Sequence, residues 1–137
     1  MQGRAKVFEY DVSLDAEWTA RSGEGGTALP REEAWTPEHL VLAGLARCSL
    51  TALEFHARRA NVSLAVAAAS AAGEVTRRED DGRFAFVEVR VEADVRLEPQ
   101  PDDVRELLAK AERDCFVGAS LTAKPTYRWI VNGEEVA

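Results

Sequence analysis

Residues Thr36 to Asn61, TPEHLVLAGLARCSLTALEFHARRAN, constrain the fold more than any other stretch of the chain. Thr36-Pro37-Glu38 reads as a helix start. A threonine side chain accepts from free backbone N–H groups, and proline at the first helical position lacks only an N–H that has no partner there. The glutamate that follows complements the positive end of the helix dipole. The helix is predicted to run to about Arg59, with Asn61 as its stop. Between Leu40 and Leu53 only Arg47, Cys48, Ser49 and Thr51 are polar. A helix so apolar on nearly every side must be enclosed by its own protein or by a partner chain.

The flanking segments supply sheets for that helix to rest on. Phe8, Tyr10, Val12, Leu14, Ala16 and Trp18 alternate with polar residues, which predicts a strand with one wet face. The glycine-rich run Arg21-Ser22-Gly23-Glu24-Gly25-Gly26 predicts the turn of a hairpin, and Thr27 to Trp35 is not placed. Val62 to Thr76 and Phe84 to Leu97 read as an antiparallel pair joined through Asp80-Asp81-Gly82, with Glu88, Arg90, Glu92, Asp94 and Arg96 toward solvent. Asp102-Asp103 opens a second helix, in which Val104, Leu107, Leu108, Ala111 and Cys115 share one face. Phe116 to Leu121 reads as a turn or short helix, and Tyr127, Trp129 and Val131 mark a last strand closed by Asn132-Gly133. The predicted class is α+β: antiparallel sheets with a long central helix and a second helix, in one domain over residues 1–137.

Composition narrows the function. The chain is 46% hydrophobic and 30% charged, with a net charge of -7. That balance argues against a nucleic-acid partner, which needs a basic face. No segment reads as the ~20 apolar residues that span a bilayer, and MQGRAKVFEY lacks the apolar core of a signal peptide. A cytoplasmic location with reduced thiols and no membrane partner is expected. His39 and His56 stand near opposite ends of one helix, and no Cys-x-x-Cys, His-Glu-x-x-His or phosphate-loop pattern occurs. No metal and no cofactor are expected.

The chemistry then rests on two cysteines, Cys48 and Cys115. A lone cysteine in an apolar helix is ordinarily a small buried filler. A reactive one needs a nearby cation, because an apolar pocket raises the thiol pKa. Cys115 lies on an apolar stripe and so faces the core. Two thiols meeting there would form a disulfide if their Cα atoms come within about 7 Å; the alternative is coincidence.

Thr36-Pro37-Glu38-His39-Leu40, followed by Ala43 and Cys48, resembles the (N/S/T)-P-E-x-L…A…C helix of the OsmC/Ohr family of thiol-dependent peroxidases. Ala111-Glu112-Arg113-Asp114-Cys115 resembles that family's second motif, A-E-x-x-C-P, with Phe116 in place of the proline. The resemblance covers nearly the whole chain. It implies an OsmC-like fold in an intertwined homodimer. It also implies a peroxidatic Cys48 that reduces organic hydroperoxides, a resolving Cys115 that closes a disulfide on it, and a dithiol reductant (a small thiol or a lipoyl-type protein). The role would be defence against oxidative stress. The family's glutamate matches Glu38. Its thiolate-holding arginine matches Arg21 on the hairpin, with Arg31 as the alternative. Glu38 and Cys48 are separated by about ten residues of helix, ~15 Å, so a Glu–Arg–Cys network requires Glu38 from a second subunit. Two readings compete with a peroxidase: a non-catalytic dimer that binds a small apolar ligand, and a disulfide-switched regulator.

Overall fold

In the computed structural model, which describes residues 5–137, helix α1 spans Pro37–Arg59 as predicted. Residues 1–4, the start of the stretch read above for a signal peptide, lie outside the described part. Asn61 takes φ 59° just past the helix, a left-handed conformation asparagine tolerates better than most residues. The chain divides into two units, Met1–Thr36 and Pro37–Ala137.

The N-terminal unit is a small hairpin. Strand β1 (Val12–Leu14) pairs antiparallel with β2 (Ala20–Ser22), Val12 opposite Ser22 and Leu14 opposite Ala20. Both strands are shorter than the alternation suggested, and the reversal falls at Asp15–Thr19 rather than at the glycines. The cause is Asp15, whose Oδ1 accepts from the N–H groups of Glu17 (2.9 Å) and Thr19 (3.0 Å), while Trp18 sits at φ 65°. Alternation reports which side chains share a face, whereas an aspartate binding its own downstream backbone decides where the chain turns. The glycines make a second reversal. Gly25 and Gly26, both at positive φ, bring Leu29 back to pair with Ala20.

The C-terminal unit lays α1 against a four-stranded sheet of order β3-β4-β5-β6. Strands β3 (Ser63–Arg77) and β4 (Phe84–Glu98) form the predicted antiparallel pair. Val89, Val91, Ala93, Val95 and Leu97 are buried, and the charged residues between them face outward. Two of the alanines of β3, Ala69 and Ala71, pack into the core on the strand that α1 contacts. After β4, helices α2 (Val104–Arg113) and α3 (Phe116–Ser120) intervene before β5 (Thr126–Val131). Asp103 caps α2 through the Glu106 N–H. Because the chain crosses over through these helices, β5 enters parallel to β4, and the sheet is mixed rather than wholly antiparallel. Asn132 (φ 52°) and Gly133 (φ 85°) do not close the fold. They form the two-residue turn into a further strand, β6 (Glu134–Val136).

α1 buries only the stripe Leu45, Ser49, Ala52, Leu53 and Ala57. Leu40 and Phe55 are about half exposed. By length and apolar composition α1 is able to cross a membrane, contrary to the expectation that no segment is. Leu45, Leu53 and Ala57 are nonetheless fully buried within the described chain, the packing of a core helix.

Candidate active site

The site begins where α1, α3 and the sheet meet. Leu45, Val89, Val91 and Cys115 form a buried cluster, with Cys48, Val117 and Tyr127 at its margin. Cys48 is partly buried in the middle of α1. Cys115 is fully buried, facing the core as predicted. It does not extend α2, which stops at Arg113 with Asp114 as its cap. Cys115 instead caps α3, its Sγ accepting from the Gly118 N–H at 3.4 Å. Both cysteines are free thiols, and Cys48 packs against the buried cluster that contains Cys115.

Burial pushes the Cys48 thiol above its ordinary pKa, and the Cys115 thiol beside it adds to the rise. The backbone N–H groups of Val117 and Phe116, at the start of α3, pull in the opposite direction because they favour the thiolate.

Behind Cys115 lies a polar chain that the sequence alone did not reveal. Ser49 is the one fully buried polar side chain among the described residues. Its Oγ donates to the Leu45 carbonyl at 2.9 Å. It also lies 3.0 Å from Tyr127 Oη and 3.7 Å from Cys115 Sγ. Tyr127 stacks on Trp129, whose Nε1 donates to Glu112 at 2.9 Å. Burial pushes the Tyr127 phenol up to about 12. On the far side His56 on α1 meets Asp114, the residue before Cys115, with Nε2 to Oδ2 at 2.6 Å. Arg113, followed by His56, holds the Asp114 carboxyl well below the usual carboxylate range.

The structure thus brings Cys48 and Cys115 together. It keeps Glu38, exposed in the first turn of α1, about ten residues and ~15 Å of helix away from Cys48 of the same chain. Both candidate arginines belong to the N-terminal unit. There Arg21 pairs with Asp15 at 3.5 Å, and the Arg31 guanidinium lies 3.9 Å from the centre of the Trp18 ring. Among the described residues no group of three or more His, Cys, Asp and Glu side chains converges to hold a metal ion. Ser49 carried one faint signal in the sequence, a hydroxyl inside an apolar stripe. Tyr127 carried none, and neither did the α3 amides, because only the fold brings them to the thiols.

Solved structures share this fold. An OsmC-like protein of unknown function from Vibrio cholerae superposes with a TM-score of 0.73 at 13% identity, covering 90% of this chain and 100% of that one. The organic hydroperoxide resistance protein OhrB of Bacillus subtilis gives 0.59 at 20% identity, covering 91% and 98%. An organic hydroperoxide resistance protein from Elizabethkingia anophelis gives 0.64 at 17% identity, covering 93% and 98%. No curated protein sequence matches this chain. The family model described as OsmC-like protein matches residues 30–129, most of the chain, and the chain belongs to the OsmC-like family.

Proposed function

We propose that this protein is a cysteine peroxidase that reduces organic hydroperoxides in defence against oxidative stress. The observation that carries the reading is that a partly buried thiol, Cys48, packs against the buried cluster that holds a second, fully buried thiol, Cys115. The more accessible sulfur takes the substrate. The Cys48 thiolate attacks the terminal peroxide oxygen, the O–O bond breaks, and the alkoxide leaves as the alcohol once protonated. Cys48 is left as a sulfenic acid. Cys115 then attacks that sulfur and forms the disulfide with loss of water, and a dithiol reductant restores both thiols by exchange. Apolar neighbours such as Leu42, Leu45 and Val117 favour an alkyl or lipid hydroperoxide. Similarity to proteins named for organic hydroperoxide resistance supports the same class of substrate.

Two backbone amides are not enough to hold a thiolate that burial disfavours. The reading therefore assigns the missing cation to Arg21, with Arg31 as the alternative. Glu38 of a second copy orients that arginine in a cytoplasmic homodimer. The exposed Leu40 and Phe55 on α1 support a helix-to-helix contact. So does Gly44, where an added Cβ would meet nothing within 4 Å. One equivalent of cumene hydroperoxide is expected to consume both thiols in the wild type and to leave a trappable sulfenic acid in Cys115→Ser. Unchanged thiols would refute the peroxidase. Sedimentation showing only monomer at micromolar concentration would refute the shared site.

A further inference from the structure

The peroxidase reading uses the sulfur of Cys115 and leaves the polar chain behind it without a task. Ser49 is a buried hydroxyl in a stripe of alkyl side chains, a placement that costs stability unless its hydrogen bonds are made. Its geometry allows the protons to be assigned. A serine hydroxyl has one proton and two lone pairs. The proton goes to the Leu45 carbonyl at 2.9 Å, the shortest contact and the usual back-bond of a helical serine. The lone pairs then accept from Tyr127 Oη–H at 3.0 Å and from the Cys115 S–H at 3.7 Å. Cys115 Sγ in turn accepts from the Gly118 N–H at 3.4 Å. One sulfur lone pair is therefore engaged by Gly118 and the thiol proton is aimed at Ser49. A second lone pair remains for Cys48.

We propose that Ser49, held by Tyr127, is a positioning residue for the resolving step: it turns the Cys115 thiol so that its free lone pair faces Cys48. The inference rests on the assignment of Cys115 as the resolving thiol. In that step the Cys115 lone pair forms the S–S bond as the S–O bond of the Cys48 sulfenic acid breaks. Solvent accepts the Cys115 proton and protonates the departing hydroxide, which leaves as water. The sulfenic sulfur is reduced and the Cys115 sulfur oxidised, both ending at the disulfide level. Tyr127 fixes the rotor: with its O–H directed at Ser49 Oγ, the serine keeps its own proton on Leu45 and remains an acceptor for the thiol. The stacking of Tyr127 on Trp129, at 5.6 Å between ring centres and 4° between planes, keeps the phenol in place.

The test separates the two steps in time. Wild type, Ser49→Ala, Tyr127→Phe and the double variant are mixed with cumene hydroperoxide. Sulfenic acid formation and disulfide closure are followed as successive phases, with a dimedone-type trap competing for the intermediate. Each single variant is expected to form the sulfenic acid at the wild-type rate and to close the disulfide about five- to tenfold more slowly, the effect of one ordinary hydrogen bond. The double variant is expected to be no slower than Ser49→Ala, because Tyr127 acts through Ser49. Closure at the wild-type rate in both single variants overturns the inference, and so do losses in the double variant that multiply. If the wild type itself forms no sulfenic acid, the peroxidase reading fails instead. Unfolding curves of each variant show whether a slow phase merely tracks lost stability. Tyr127→Phe, which deletes one oxygen and keeps the ring, remains informative if Ser49→Ala folds poorly.

Discussion

Leu45→Ala is the sharpest probe of how the site is built. Leu45 is fully buried, packs against Cys115, and lies against α3 where an added Cβ at Gly118 would touch its Cδ1 at 3.5 Å. Truncation removes three carbons, worth roughly 2.4 kcal/mol at ~0.8 kcal/mol for each buried methylene. The unrelaxed hole adds to this, giving a total of about 3–4 kcal/mol. With a urea dependence of about 1–3 kcal/mol/M for a small protein, the midpoint should fall by more than ~1 M at unchanged slope. Leu40→Ala on the same helix is the control. Leu40 is 47% exposed, so within one chain its loss should cost less than about 1 kcal/mol. In a dimer that covers Leu40, the cost would grow and the midpoint would depend on protein concentration. The decisive assay is urea unfolding followed by tryptophan fluorescence at two protein concentrations. A Leu45→Ala variant within ~1 kcal/mol of wild type would refute the packing argument.

Other expectations are simpler to check. The folded Tyr127 phenol, raised to about 12 from an ordinary 10.0, holds its proton after the unfolded chain has released it. Stability present below pH 10 should decline between there and about 12, and the decline should be weaker in Tyr127→Phe by denaturant midpoints across that range. Asp114, depressed by Arg113 and His56, stabilises the fold above the ordinary carboxylate range. Asp114→Asn should therefore be less stable than wild type at neutral pH, with the two midpoints converging as the pH falls below about 4. In stopped-flow oxidation of Cys48, Arg21→Ala should be slower than wild type by at least tenfold, about 1.4 kcal/mol, and slower than Arg31→Ala. The reverse order would move the thiolate-holding role to Arg31.

Long, punctuated elements were legible in the sequence. Thr36-Pro37 opened α1, Asn61 closed it, and the charges alternating along β4 gave its two faces. The pairing partner of β5 was not legible, because alternation within a strand says nothing about its direction; the α2–α3 crossover decides that. β6 was missed although its signal was present: Asn-Gly is a hairpin turn more often than a terminus. In the N-terminal unit, glycine count misled where one aspartate's side chain made the turn. The cysteine pair could be nominated from the sequence. Its surroundings could not, since Ser49 and Tyr127 are brought together across 78 positions and only by tertiary packing.

The parallel pairing of β4 with β5 also sets when the pocket comes into being as the chain folds. β3 and β4 are joined by a tight turn at Arg78–Arg83 and can zip locally. β5 pairs with β4 across the α2–α3 crossover, so its docking must close a longer stretch of chain and is expected to be the slower event. Tyr127 rides on that last strand. Before it docks, Ser49 lacks its phenol partner and the cover over Cys115 is incomplete, so refolding is expected to pass through an interval in which this thiol is open to oxidants. Pulse labelling of thiols during refolding should find Cys115 protected later than the β3–β4 hairpin amides.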